Sequence, residues 1–439
     1  MRLRSRWWLL LLLSLSCAHA RGDIDGPPIV DNNYDLDLRQ GPVLGSSRKV
    51  ALGGAYIGVA EGIASLSSNP AGVAFRPQRS TTKFDWDWTA GLTGLDSDDF
   101  DNNGVTPPDY KTHRIRSLGL MGQYGLWGLG VLSDSEIIAL ENPGADDDEY
   151  VLSVTSLTLG RQFLDRDLTV GVGWRATTSK LRADILDVTL GKLSGTGWDV
   201  GVLWNPERGP WRFGMTYSST IRSDQVLDTS GGTPVTVNGL IIPQQVILPA
   251  SLGLGASYAV DSAPFWPGHT WLVASDLLFT ASSTNAVGVE SVLAQKIQPV
   301  GTDDTVGVRL GSELETIPGR LRLRLGTYYE PSNYQGVSSR MHVTGGFEVR
   351  VLHTSIWGDY DWALTATVDS ARDYLNVLVA QSQLLKAQDG QARVRAQRLA
   401  SYATLTSALG GGIDDPSNGP EQTALAPSKH IGPFSKARN

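Results

Sequence analysis

The sequence predicts an all-β protein, a transmembrane antiparallel β-barrel of about fourteen strands, and three observations predict it. From residue 80 to about 380 the dominant hydrophobic rhythm has a period of two. Several alternating stretches run about 10 to 14 residues, where a globular strand averages about 5 to 6 and a tilted membrane strand needs about 9 to 11. Tight links alternate with long ones, as when short turns lie on one side of a membrane and long loops on the other. A large soluble β protein is the competing class.

The first twenty residues, MRLRSRWWLLLLLSLSCAHA, combine Arg2, Arg4 and Arg6 with a short apolar run and a small-x-small ending at Ala18-His19-Ala20. That is the pattern of a cleaved export signal, too short for a membrane-spanning helix. Lipid attachment at Cys17 is the alternative, although Ser14-Leu15-Ser16 makes a poor lipidation box. Cys17 is the only cysteine, so the exported chain has no disulfide to hold it. Losing three arginines leaves 34 basic against 45 acidic residues, a net charge of −11, which argues against a nucleic-acid partner.

The expected strands are 80–93, 112–123, 126–137, 150–163, 167–180, 194–205, 210–223, 248–260, 269–281, 302–314, 320–330, 340–353, 357–369 and 373–384. The last could equally be helical. Tight links at 124–125, 164–167 and 206–210 alternate with long ones at 94–110, 139–149, 224–247 and 282–301. Acidic runs at 96–101 and 146–149 lack the spacing of a calcium loop and are read as solvated surface.

In a bilayer every backbone N–H and C=O needs a partner, which a closed barrel supplies and an open edge does not. The apolar faces, such as Leu168, Val170, Val172 and Trp174, then point to lipid. The opposite faces put Arg175, Arg212, Arg309, Arg322, Arg324 and Arg350 in the lumen, since an arginine facing lipid at the midplane costs about 2 to 4 kcal/mol. Acids such as Asp199 and Glu348 are the expected partners. Trp86, Trp88, Trp127, Trp174, Trp204, Trp211, Trp271 and Trp357 lie near strand ends or on outward faces, where aromatic girdles form.

Ahead of the first strand stands SSRKVALGGAYIGVAEGIASLSSNPAGVA, residues 46–74. This stretch resembles the N-terminal segment of the FadL-type outer-membrane transporters of long-chain fatty acids and hydrocarbons. LPASLGLGASYAV with HTWLVASDLLF (248–279) and TVGVRLGSELETIPGRLRLRLGTYYEPS (305–332) are similar to later parts of that family in the same order. The resemblance implies a monomeric barrel in the bacterial outer membrane, with residues 21–79 as N-terminal extension and hatch inside the lumen. It also implies passive uptake of a hydrophobic small molecule with lateral exit through a kinked strand. Asn69, Pro70 and Ala71 match the family's hatch motif. Gly53, Gly54 and Gly58 let the segment pack closely. Asn69 can bond to wall backbone, which is expected to be free only where a strand kinks or bulges.

Strand 126–137 loses its apolar face at VLSDSE, and in 150–163 the apolar parity moves from Tyr150, Leu152 and Val154 to Leu157, Leu159 and Phe163. That slip predicts a bulge, and a lateral gate at Leu132, Ser133, Asp134 and Ser135. Apolar residues at 137–140 and 239–248 suit a capture groove.

The domain plan is therefore a signal at 1–20, extension and hatch at 21–79, barrel at 80–384, and a partly disordered periplasmic tail at 385–439. The tail, with no terminal aromatic strand after it, could meet a periplasmic partner. A PorV-type scaffold or shuttle for protein secretion is the alternative function. No cofactor or metal is expected, because His113, His269, His342, His353 and His430 are scattered. Neither a nucleophile elbow nor a phosphate loop is present, so an enzyme has little support.

Overall fold

The computed structural model describes residues 24–373 except 39–42, 44, 76–82, 96–101, 104–109, 141–147, 184–187, 207–208, 224–233, 238–239 and 357–359. The expected signal, the acidic run 96–101, Trp357, residues 374–384 of the last expected strand, and the tail lie outside the described residues.

Long alternating stretches become long strands. They are β2 (Phe84–Leu95), β3 (Tyr110–Tyr124), β4 (Trp127–Leu140), β5 (Asp148–Phe163), β6 (Leu168–Ala183), β7 (Val188–Trp204) and β8 (Trp211–Ser218), which is continued by β9 (Ile221–Ser223). A small hairpin, β10 (Thr236–Val237) with β11 (Leu240–Ile241), precedes β12 (Gln245–Leu248), which leads into β13 (Ser251–Val260). Then come β14 (Trp271–Thr280), the short β15 (Ala286–Val287) and β16 (Pro299–Val300), β17 (Thr305–Ile317), β18 (Leu321–Glu330), β19 (Arg340–Ile356) and β20 (Tyr360–Asp373). Every pairing between successive wall strands is antiparallel. With β8–β9 and β12–β13 each counted as one, β2 to β20 supply thirteen wall positions, each overlapping an expected strand. A pairing of β20 with β2 is not among the registers of the described residues.

The alternation has the faces the sequence implies. Val172, Trp174, Trp198, Leu323, Leu325 and Phe347 are exposed on the outer face. Thr158, Gln162, Thr169, Arg324 and Thr344 are buried on the inner one. Tight links close the strands at one end. Gly125, with φ +60°, opens the two-residue turn that joins Tyr124 to Trp127.

One expectation of the wall needs correction. The bulge expected in 150–163 is absent, because β5 runs in unbroken register against both β4 and β6. Tyr150 and Leu152 face inward with Ser156 and Thr158, while Leu157 and Leu159 face outward. The parity changes because the inner face becomes apolar in that half, where Ile138, Tyr150 and Leu152 pack on Leu36, Leu38, Val246 and Val289. Register shifts lie elsewhere: between Tyr110 and Thr112, Leu181 and Arg182, Glu315 and Ile317, and Arg350 and Leu352, and where β7 meets β8–β9. Between the pairs Asp199↔Ser218 and Thr196↔Arg222, β7 advances three residues and β8–β9 four. The extra residue interrupts the wall at 219–220, opposite the break at Pro249–Ala250 between β12 and β13.

Candidate functional site

Residues 46–75 lie against the inner face. Ser46 caps α1 (Ser47–Ala51), its hydroxyl accepting from Lys49 N. Two 3₁₀ turns follow, Ile63–Ser67 and Pro70–Val73. Small residues keep the segment compact, and Val50, Ala51, Leu52, Ala55, Val59, Ala60 and Ala71 are fully buried. Gly53 and Gly54 have φ of +62° and +75°, and a Cβ on Gly53 would stand 2.7 Å from Thr327 N of β18. A Cβ on Gly58 would stand 2.8 Å from Ala256 of β13.

Asn69 caps the second 3₁₀ turn. Its Oδ1 accepts from Ala71 N at 3.1 Å, and its Nδ2 donates to Ile57 O at 3.1 Å and to Val202 O of β7 at 3.0 Å. Val202 sits in unbroken register with Val170 and Met215, so no kink frees its carbonyl, contrary to the expectation from sequence. A carbonyl oxygen has two lone pairs and can take a second donor. Pro70 occupies the first position of the turn, where a missing N–H costs nothing.

Wall side chains hold the rest of the segment by its backbone. The Asp276 carboxylate accepts from Tyr56 N at 2.6 Å and Ile57 N at 2.7 Å, and Asp87 accepts from Ile63 N at 2.8 Å. Gln123 donates to Val73 O and Phe75 O, Thr344 to Ala51 O, and Ser257 to Gly58 O. These anchors come from β14, β2, β3, β19 and β13, so the sheet curves around the segment. The wall strands also offer inward glycines where the segment touches them. A Cβ on Gly171 would stand 2.2 Å from Pro70 O, on Gly214 2.1 Å from Ile57 O, and on Gly326 2.2 Å from Gly53 N. Their signal in the sequence is glycine recurring at inward parity at one level of the wall.

The six arginines singled out from sequence are placed as follows. Arg212 is 2.5 Å from Glu61, donates to Val59 O and lies over the Phe75 ring. Arg309 donates to Gly54 O at 3.4 Å. Arg324 pairs with Glu313 at 2.6 Å and with Glu348, and Arg322 pairs with Glu348 at 3.4 Å. Arg175 donates to Ser219 O at 3.0 Å, at the wall interruption. Arg350 is partly buried on β19, and its Nε has no hydrogen-bond partner among the described residues. Sequence reasoning missed Arg48, which joins Glu61 and Glu313, each at 3.0 Å, and so ties the segment into this network. Burial would raise the Glu61 carboxyl, but Arg212 and Arg48 outweigh it and hold it down at about 2. Burial, reinforced by Arg309, lowers Lys49 to about 8; its ammonium donates to Ser67 O and Oγ.

Leu132, Ser133, Asp134 and Ser135 sit in continuous β4. Leu132 packs inward on Ile63, Leu66, Val73 and Met121. Asp134 accepts from Ser117, and Ser133 and Ser135 bond across to Thr155 and Ser153.

At the long-loop end, residues 24–38 are knitted into the loops. β1 (Asp35–Asp37) pairs in parallel with β12 and β15. Asn32 donates to Val235 O and Ile242 O and accepts from Val235 N, each at 2.8 Å. Tyr34 Oη donates to Ile241 O at 2.6 Å, and burial raises its pKa. Of the apolar residues expected to line a capture groove, Ile138 lies under Leu36 and Leu38, and Ile241 packs with Ile29 and Tyr34. A cavity of about 290 Å³ remains beside them, lined by Ile29, Tyr34, Val287, Ile297 and Val300 with Asn33 and Asn285. α2 (Val289–Ala294) backs this region. Among the described residues no cluster of His, Cys, Asp and Glu could hold a metal.

Neither a family model nor a curated protein matches this sequence. Among solved structures the chain is similar to a FadL homologue from Pseudomonas aeruginosa, at 13% identity over 76% of this chain and 91% of that one, with a TM-score of 0.48. It is similar to the CymD monoaromatic hydrocarbon channel at 12% identity over 76% and 99%, with a TM-score of 0.46. It is also similar to the toluene transporter TodX of Pseudomonas putida, at 12% identity over 80% and 98%, with a TM-score of 0.41.

Proposed function

We propose that this protein is a bacterial outer-membrane channel for passive uptake of a hydrophobic small molecule, a long-chain fatty acid or a hydrocarbon. One observation carries the reading: a wall exposing Trp, Phe and Leu on its outer face turns a charged and hydroxyl-rich inner face onto a buried segment of its own chain. In water such an outer face would be a large apolar patch; in lipid it is the ordinary surface of a barrel.

In this reading residues 46–75 are the hatch, with Asn69, Pro70 and Ala71 as its pin. The cavity by Ile29, Val287 and Val300 captures the ligand, since it is apolar with a polar rim. Exit through the wall belongs at 219–220 and 249–250, where the ladder is already interrupted, rather than at Leu132–Ser135, where it is continuous.

The test is uptake of labelled alkane, toluene and oleate by a strain lacking the gene and by the complemented strain. Complementation that restores uptake of at least one supports the channel. Equal uptake with and without the gene, for all three, rejects it.

A further inference from the structure

The apolar outer face is not equally tall around the wall. On β14 it runs from Trp271 and Val273 to Leu277 and Phe279. On β4 it is interrupted after Trp127, Leu129 and Val131: Ser133 and Ser135 continue the same outward parity, and Ile137 beyond them is buried. The neighbouring strands change at the same rows. One row reads Ser133, Thr155, Ala176 and Thr196 across β4 to β7; the next reads Arg116, Ser135, Ser153, Thr178 and Ser194 across β3 to β7. Ser133 bonds Thr155 at 3.0 Å and Ser135 bonds Ser153 at 2.9 Å.

Cations flank this field of hydroxyls. Arg114 and Arg116 are exposed on β3, on the parity of Leu118 and Leu120, and neither makes an ion pair among the described residues. Lys180 lies on the outward parity of β6. Arg222 on β9 is exposed at the far side, 3.8 Å from Asp35. Strands lie about 4.8 Å apart, so β3 to β7 spans roughly 19 Å. The patch stands toward the long-loop end, just beyond the outward Trp174 and Trp198, which pair across β6 and β7. Indole rings at that position mark a lipid–water boundary.

We propose that this patch binds the headgroup of a phosphorylated glycolipid in the outer leaflet. Guanidinium groups suit phosphate oxygens, which accept several charge-assisted hydrogen bonds. A plain phospholipid would engage one cation and leave the hydroxyl rows idle. A sugar headgroup, phosphorylated at both ends, matches hydroxyls between two cationic edges. The proposal rests on the membrane reading above, and its test separates the two.

The full-length chain in detergent is offered bisphosphorylated lipid A, its dephosphorylated form and phosphatidylethanolamine, and retained lipid is read by native mass spectrometry. Bisphosphorylated lipid A should be retained about tenfold over the dephosphorylated form. Arg114→Gln combined with Arg116→Gln and Lys180→Gln should remove most of that preference, and Ser135→Ala with Ser153→Ala part of it. Arg161→Gln, at the opposite end of β5, should leave it intact. Equal retention of both forms, an unchanged preference in the triple variant, or a second protein copy occupying the patch in place of lipid overturns the proposal. Vesicle flotation of each variant distinguishes the failures. A chain that floats without lipid preference refutes this inference alone, and one that stays in the aqueous phase refutes the membrane reading and this inference with it.

Discussion

At the scale of single residues, Asn69 is the most exposed to failure. Its side chain satisfies two carbonyls and one amide in a fully buried place. Each buried group left without its partner costs about 1 to 3 kcal/mol. Asn69→Ala should therefore speed hydrogen exchange of amides 51–75 while those of β6 and β7 stay protected; equal protection throughout would show that Asn69 does not pin the segment. Gly171→Ala tests the same contact from the wall, because its Cβ would meet Pro70 O at 2.2 Å. Overpacking of that kind costs about 1 to 3 kcal/mol, and thermal unfolding of the purified protein should move down accordingly. Glu61 gives a pH signature. Its carboxyl titrates at about 2 in the folded chain and near 4.5 when unpaired, so its contribution is complete above about pH 4.5 and is lost as pH falls toward 2. Amide exchange in the segment should accelerate across that window, and Glu61→Gln should flatten the response.

At the scale of elements, the wall interruption is the point of interest. Ser219 is held by Arg175 through its carbonyl and by Trp198 through its hydroxyl and amide, so the bulge is a built feature rather than a frayed end. Thr220→Trp should reduce uptake severalfold with the barrel still folded, whereas Ser133→Trp on continuous β4 should have little effect. Reversal of that order would return the exit to Leu132–Ser135. Periodicity could not find this bulge, because SSTIRSD has no apolar rhythm to slip. It pointed to β5 instead, where Tyr150 and Leu152 are apolar for what they touch, the side chains of Leu36 and Leu38. A period-two pattern reports that a residue faces a given side, and is silent on which distant segment waits there.

At the scale of the whole molecule, the outer face sets the behaviour. The chain should remain in the membrane pellet after carbonate washing, require detergent for extraction, and show strand-dominated circular dichroism. Recovery as a monodisperse monomer without detergent would contradict the reading. The same scale explains how a chain with a single cysteine, and so no disulfide within it, is held together. Ladder hydrogen bonds join successive wall strands from β2 to β20, and the segment 46–75 is bonded to several of them.

The sequence by itself determined the strands, their two faces and the inward arginines, because side-chain direction in a strand depends only on position along it. Val172 and Trp174 outward, with Arg175 inward, needed nothing more. It also marked Asn69-Pro70-Ala71 as unusual. Only the tertiary structure decided which carbonyl Asn69 meets, that Arg48 bridges Glu61 and Glu313, that residues 24–38 cover the apolar loop residues, and where the wall is interrupted. Each of these joins residues far apart in the chain, and such contacts are set by how the sheet curls rather than by any local pattern.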